Sequence, residues 1–271
     1  MKAPKRRVDL LLVERGLCAS RQEAQRLLMA GKVQAAGQRV EKAGTLVAAD
    51  VPLAVDGPSS PFVSRGGVKL LHALQAFGVD PRGRNCLDVG ASTGGFTDCL
   101  LQHGALQVMA VDVGYGQFAA RLRQDPRVQL LERTNIRHLG AERLRVRPDL
   151  ATIDVSFISL TLVLPAVVAL LADPAEIVAL VKPQFEAGRG QVGKRGVVRE
   201  PSVHRQVLER VVAAAGGLGL AVRGLTASPL LGPMGNREFL VHLRRGVEAA
   251  DAAALISSAV EINNGKSIME N

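Results

Sequence analysis

The sequence predicts a doubly wound α/β sheet preceded by a small α+β module, and three observations carry the prediction. Apolar runs of strand length recur between helical patterns from about residue 85 to residue 243, the alternation that builds a mostly parallel sheet. Residues 85–98, N-C-L-D-V-G-A-S-T-G-G-F-T-D, read as a strand, a glycine turn and a helix, a unit that opens a ligand-binding half-sheet. The first 57 residues follow a different rhythm, two short helices and then brief alternating segments that turn at Gly37 and Gly44.

A chain of 271 residues, 47% hydrophobic, is long enough for one sizeable core and an accessory domain. Three widely spaced cysteines, Cys18, Cys86 and Cys99, form no C-x-x-C pair. That argues for a reducing compartment, against a disulfide framework and against a metal site. The start, M-K-A-P-K-R-R, is basic, but the apolar run behind it is too short for a secretory signal, so a cytoplasmic location is expected. Basic residues outnumber acidic ones by 34 to 25, a net charge of +9. Such a surface favours a polyanionic partner, most simply nucleic acid, although a solvated basic surface with no partner has the same composition. With no Trp and one Tyr, few rings can stack on bases, which shifts recognition towards backbone and shape.

Taken in order, residues 8–15 read as an amphipathic helix stopped at Gly16. Ser20-Arg21-Gln22-Glu23 is a capping box that starts a second helix through Met29. Residues 32–47 alternate as a hairpin, and residues 51–55 as a further strand. Arg21, Arg26, Lys32, Arg39 and Lys42 can share one basic face. Two helices followed by G-K-V-x-x-x-G-x-x-V-x-K-x-G-x-x-V resemble the RNA-binding domain named for small-subunit ribosomal protein four; a purely structural cap is the plainer reading. Residues 57–61, G-P-S-S-P, are a linker by composition. The expected boundaries are 1–57 for the module, 58–63 for the linker, 64–245 for the sheet domain and 246–271 for an acidic tail, partly helical or disordered.

A helix over residues 68–77 carries Lys69 on its first turn, just upstream of the glycine-rich strand. Glycines at 90, 94 and 95 let the backbone turn sharply and approach a ligand, and the helix beginning at Phe96 points free amides into that turn. Ser92 stands where a dinucleotide fold carries its middle glycine, and Asp88, two residues before the first glycine, is a familiar mark of S-adenosylmethionine sites. A second strand, 108–112, ends in Asp112, placed for ribose hydroxyls. A third, 128–132, leads to Asn135, which either reads an adenine edge or serves as a turn residue. Residues 150–172 are apolar enough to suggest a membrane span, but Asp154 and Pro165 divide them into a buried strand (150–155), a loop and a helix. Lys182 closes the strand over 177–181, residues 184–200 form a long glycine-rich basic loop, and strands over 222–227 and 237–243 complete the sheet, the last with Glu238 at its start.

Lys69, D-V-S-F-I-S-L around Asp154, V-K-P-Q-F around Lys182 and G-N-R-E-F around Glu238 stand in the order Lys–Asp–Lys–Glu. With the glycine turn and the N-terminal module, that order closely resembles the TlyA-type ribosomal RNA 2′-O-methyltransferases, whose catalytic domain is similar to the FtsJ-type enzymes. The resemblance runs from about Arg6 to Leu243. It implies a seven-strand methyltransferase (Rossmann-like) sheet, S-adenosylmethionine as methyl donor and ribosomal RNA, within a subunit or ribosome, as partner. It makes Lys69, Asp154, Lys182 and Glu238 the expected catalytic set. The donor site would be Asp88, the turn from Gly90 through Ala91, Ser92, Thr93, Gly94 and Gly95 to Phe96, and Asp112, Val113 and Asn135. Arg65 joins the module's basic residues as an expected RNA contact. Some relatives of this type carry a haemolysin label, which the divided 150–172 segment does not support.

The chemistry suits the set. A ribose hydroxyl is a poor nucleophile that must attack a sulfonium methyl in line, so the enzyme positions the two groups and eases loss of the proton. Lys182 serves either as a neutral base or as a cation beside the alkoxide. Rival readings share single features: a nicotinamide dehydrogenase has the turn and Asp112, an RNA-binding assembly factor has the basic surface, and a membrane-active protein has the apolar run.

Overall fold

The computed structural model describes residues 4–18, 20–55, 61–232 and 234–261, in two units, Met1–Ser64 and Arg65–Asn271. The first half of the expected linker, residues 58–60, and the end of the tail from residue 262 lie outside the described residues.

The first unit runs β1 (Lys5–Arg7), α1 (Val8–Glu14), α2 (Arg21–Met29), β2 (Val33–Ala35), β3 (Gln38–Arg39), β4 (Leu46–Ala48) and β5 (Leu53–Val55). The Ser20 hydroxyl accepts the Glu23 amide at 3.2 Å and so starts α2. Val8, Leu12, Ala24, Leu28 and Val33 form a small core between the helices and β2. β2 pairs antiparallel with β3 and β5. The expected hairpin is broken at its far end: β4 leaves it and pairs with β1, Arg6 opposite Val47. That pairing is made by backbone groups on a Lys-Arg-Arg run, so no apolar period announces it.

The second unit runs α3 (Arg65–Phe77), β6 (Asn85–Val89), α4 (Gly95–Gln102), β7 (Gln107–Val111), α5 (Ala120–Arg123), β8 (Val128–Leu131), β9 (Leu150–Ile153), α6 (Leu160–Leu170), β10 (Glu176–Val181), α7 (Pro183–Glu186), α8 (Pro201–Gly216), β11 (Leu220–Ala227), β12 (Phe239–Arg245) and α9 (Ala252–Glu261). Its seven strands lie in the order β8-β7-β6-β9-β10-β12-β11, with β12 antiparallel to both neighbours and the paired central strands parallel. β9 and β10 are apolar along almost their whole length, and β6, β9 and β10 are all buried on both faces, as interior parallel strands are. Leu87, Ile153, Ile177 and Val181 belong to the core that also holds Leu164 of α6 and Leu208 of α8, while α3 and α4 pack against each other and onto the sheet.

The order of strands reverses between β6 and β9, so a crevice opens at their carboxyl ends, where ligands of such sheets bind. The apolar run over 150–172 resolves into β9, a loop and the 11-residue α6. Among the described residues no helix is long and apolar enough to cross a membrane. α3 begins at Arg65, earlier than its glycines suggest, which moves Lys69 from the first turn to the second.

Candidate active site

β6 delivers Asp88 to the crevice with no exposed surface. Its carboxylate accepts the Thr97 hydroxyl at 2.6 Å and the Thr152 hydroxyl at 3.3 Å. Burial, aided by the nearby Asp154 charge, pushes the Asp88 carboxyl up to about 7. The chain then turns at Gly90, whose φ is +85°, and a β-carbon there would lie 2.4 Å from the Asp154 carbonyl oxygen. Only glycine lets the turn sit this close to the end of β9. Gly94, φ +94°, precedes α4. Ser92 is exposed and in the left-handed region at φ +49°.

Asp112 fastens this turn to the loop after β7, for its two oxygens accept the Ser92 amide at 2.7 Å and the Gly114 amide at 2.6 Å. Beside it Val113 is 71% exposed, and the Tyr115 ring lies under the Arg133 guanidinium at 4.1 Å. An acid next to an uncovered apolar side chain fits a nucleoside, hydroxyls to the one and purine face to the other. Ala91 and Phe96 are buried and serve the turn by packing, whereas Thr93 gives its carbonyl to the Ala119 amide at 3.2 Å. The Asn135 side-chain oxygen accepts the Arg137 amide at 3.1 Å, a turn contact that leaves its amino group unassigned.

The four ionisable residues expected to act together gather through strand register. β10 and β12 pair with Val181 opposite Phe239, so Lys182 and Glu238, each one residue further out, stand across from one another at the sheet's end. Asp154 lies one residue past β9, its amide on the Val89 carbonyl at 2.8 Å. Lys69 reaches in from α3, which packs on β11 and β12. The set resolves into two ion pairs. Lys69 pairs with Glu238, both buried. The Lys182 ammonium lies 2.5 Å from Asp154 Oδ1 and directs its hydrogen bond to the Ser156 hydroxyl at 3.0 Å. Gly232 leaves the space Glu238 needs, since a β-carbon there would come within 2.5 Å of Glu238 Oε1.

One residue that sequence reasoning passed over stands out. Phe157 is 91% exposed with φ +64°, a costly backbone for a bulky residue. Its ring lies 4.9 Å from that of Phe185, and it follows Ser156, the hydroxyl that Lys182 touches. Phe157 falls within the D-V-S-F-I-S-L segment, but nothing in that run of residues marks its ring as exposed.

In the first unit Arg21, Arg26, Arg39 and Lys42 are exposed and Lys32 is half-buried. Arg21 is held at 2.9 Å by the buried Asp9, which also takes Arg7 at 2.9 Å. The hydrogen bond from Arg7 pulls the Asp9 carboxyl down to about 2. Arg65 in the second unit is exposed and donates to the Leu231 carbonyl at 3.3 Å.

The FtsJ-like methyltransferase family model matches residues 62–245, and the S4 domain model matches residues 6–51. The chain belongs to the FtsJ-like methyltransferase family. It is 49% identical over 259 residues to the 16S/23S rRNA (cytidine-2'-O)-methyltransferase TlyA of Mycobacterium tuberculosis, covering 95% of this chain and 97% of that one. It is 51% identical over 244 residues to YqxC of Bacillus subtilis, whose name describes an rRNA methyltransferase, covering 90% and 87%. A solved structure from Streptococcus thermophilus under a hemolysin name superimposes with a TM-score of 0.78 at 46% identity, covering 96% of this chain and 95% of that one. The protein is thus a methyltransferase of the TlyA kind, with an S4 domain ahead of an FtsJ-like catalytic domain.

Proposed function

We propose that this methyltransferase transfers a methyl group from S-adenosylmethionine to the 2′-hydroxyl of a cytidine in ribosomal RNA, acting on a ribosomal subunit or ribosome in the cytoplasm. The observation that carries the reading is the meeting of two Lys–carboxylate pairs at the carboxyl end of the sheet, against the Gly90 turn. S-adenosylmethionine supplies an electrophilic methyl on a positively charged sulfur. The Gly90–Gly94 turn, Asp112 and Val113 are the groups that would hold it, and its nucleoside matches their chemistry.

Lys182, paired with Asp154, reaches the Ser156 hydroxyl in the loop that presents Phe157. In this arrangement the ammonium stabilises negative charge on the ribose oxygen while the hydroxyl proton passes to solvent water, and Asp154 and Ser156 fix where that ammonium points. The buried Lys69–Glu238 pair stands beside it, at the start of β12. The Phe157 ring offers a stacking surface for the acceptor base, and the S4 domain's exposed arginines and lysines suit RNA phosphates. The segment over 150–172 gives the haemolysin alternative no support.

The test is incubation of the protein with labelled donor and ribosomal particles lacking the modification, followed by mapping of the labelled nucleotide. A 2′-O-methylated cytidine is expected; label on a base, or none, overturns the reading. Lys182→Arg separates the two roles of the lysine. A cation keeps measurable turnover in the arginine variant, whereas a neutral base loses it, because arginine does not deprotonate.

A further inference from the structure

Glu186 lies outside the set described above, yet its carboxylate spans the two loops that carry half of it. It is 6% exposed at the end of α7, four residues after Lys182. One oxygen accepts the Leu160 amide at 2.7 Å and the other accepts the Ser159 hydroxyl at 2.6 Å. Ser159 in turn caps α6 by accepting the Thr161 amide at 3.1 Å. A carboxylate at the start of α6 also complements the helix dipole. The Glu186 carbonyl is itself held by the Arg210 guanidinium at 2.8 Å, so the anchor is fixed from α8.

The segment from Asp154 to Ser159 is short and strained. Phe157, in its middle, keeps a left-handed φ of +64°, and such a backbone persists only when both ends of the loop are held. The near end is held by β9, through the Asp154 amide on Val89. The far end is held by Glu186. Between those points lie Asp154 and Ser156, the two residues that orient Lys182, and the exposed Phe157 ring.

We infer that Glu186 is a positioning residue for methyl transfer: by clamping Ser159 and Leu160 it fixes the loop that aims the Lys182 ammonium and presents Phe157, without touching donor or acceptor. This rests on the function proposed above. Losing the clamp displaces the loop while the donor turn, built on β6 and β7, stays intact. Because an error of about 1 Å in a reacting group costs on the order of 100-fold in rate, the effect falls on kcat.

The experiment compares wild type, Glu186→Ala, Glu186→Gln and Ser159→Ala in single-turnover methylation of unmodified ribosomal particles, with donor affinity measured separately by calorimetry. Wild type is assayed first; if it transfers no methyl, the functional reading fails and not the clamp. Glu186→Ala is expected to lower kcat by about 10- to 100-fold with donor affinity within about twofold. Glu186→Gln, which can accept the Leu160 amide and donate to the Ser159 hydroxyl, is expected to restore most of that rate. Ser159→Ala, losing one of the two ties, is expected to fall between and to add nothing further in the Glu186→Ala background. Glu186→Ala with near-normal kcat overturns the inference, as does a parallel loss of donor affinity and kcat, or glutamine no better than alanine. Should Glu186→Ala not fold, Ser159→Ala decides: a wild-type kcat there overturns the clamp and a several-fold loss at unchanged donor affinity supports it.

Discussion

The two ends of the seven-stranded sheet both gather charge, but in different chemical forms. At the amino end Arg84, just before β6, sets its Nε 2.6 Å from Asp149 Oδ1, its Nη2 2.6 Å from the Asp149 carbonyl, and its Nη1 on Glu176. Glu176 also faces His242 Nε2 at 3.3 Å and Arg244 Nε at 3.7 Å. The guanidinium is a rigid fork with every arm spent on holding strand ends together. At the carboxyl end the cations are lysines, compact charges on flexible stems that one contact can redirect, and Lys182 is paired with the Asp154 that abuts the Gly90 turn, in the loop that carries the exposed Phe157 ring. The carboxylates differ accordingly. The neighbouring His242 and Arg84 draw Glu176 down to about 2, while burial drives Asp88 up to about 7. One end ties strand ends together through a single guanidinium, and the other divides its charges between two separate lysine–carboxylate pairs.

Exchanging the damage between the two ends is the sharpest way to break that contrast. Lys182→Ala is expected to lower methyl transfer by about 1,000-fold or more, the scale of losing a preorganised charge in a water-poor site, with the melting temperature little changed. A variant with turnover near wild type removes Lys182 from its role. Arg84→Ala is expected to do the reverse, costing about 3 kcal/mol by leaving Asp149 unpaired and Glu176 with only His242 and Arg244 while folded molecules keep their turnover. Denaturant titration and a rate corrected for folded fraction read both numbers, and a large drop in that rate would join the two ends into one functional unit.

Two pH series sharpen the comparison with smaller effects. The Asp88 carboxyl titrates higher in the fold than in the unfolded chain. The stability it contributes is therefore full below about pH 4 and lost as pH rises to about 7. Asp88→Asn is expected to match wild type at pH 4 and to exceed it at pH 8, on the order of 1–4 kcal/mol by urea unfolding; a constant difference across that range sinks the assignment. Glu176 runs the other way, with its contribution present above about pH 4 and lost as pH falls toward 2. Glu176→Gln is expected to flatten the acid limb of the stability curve by a smaller amount, and an unaltered limb in acid unfolding followed by circular dichroism places the acid sensitivity elsewhere.

The alternating apolar and helical segments from residue 85 to residue 243 carried the sheet in the chain's own pattern, because period and glycine position are local properties. The shift of β4 onto β1 was hidden, since pairing through backbone amides on a Lys-Arg-Arg run leaves no periodic mark. In the candidate site, the residue types and their order were legible, but their partners were not. Lys69 and Glu238 are 169 positions apart, and only the helix packing on β12 brings them together. Phe157 was passed over because its exposure follows from a loop conformation that no pattern in the chain announces.

By itself, then, the sequence determined the α/β class, the S4-like module ahead of it, the glycine turn and the Lys–Asp–Lys–Glu order, all of which depend on near neighbours or on residue identity. The tertiary structure alone decided that the four charges divide into Lys69–Glu238 and Lys182–Asp154, that Asp88 is sealed from water, and that Glu186 ties two loops together. Those outcomes depend on the register of β10 against β12 and on which strand ends converge, and such long-range geometry exists only once the sheet has closed around its core.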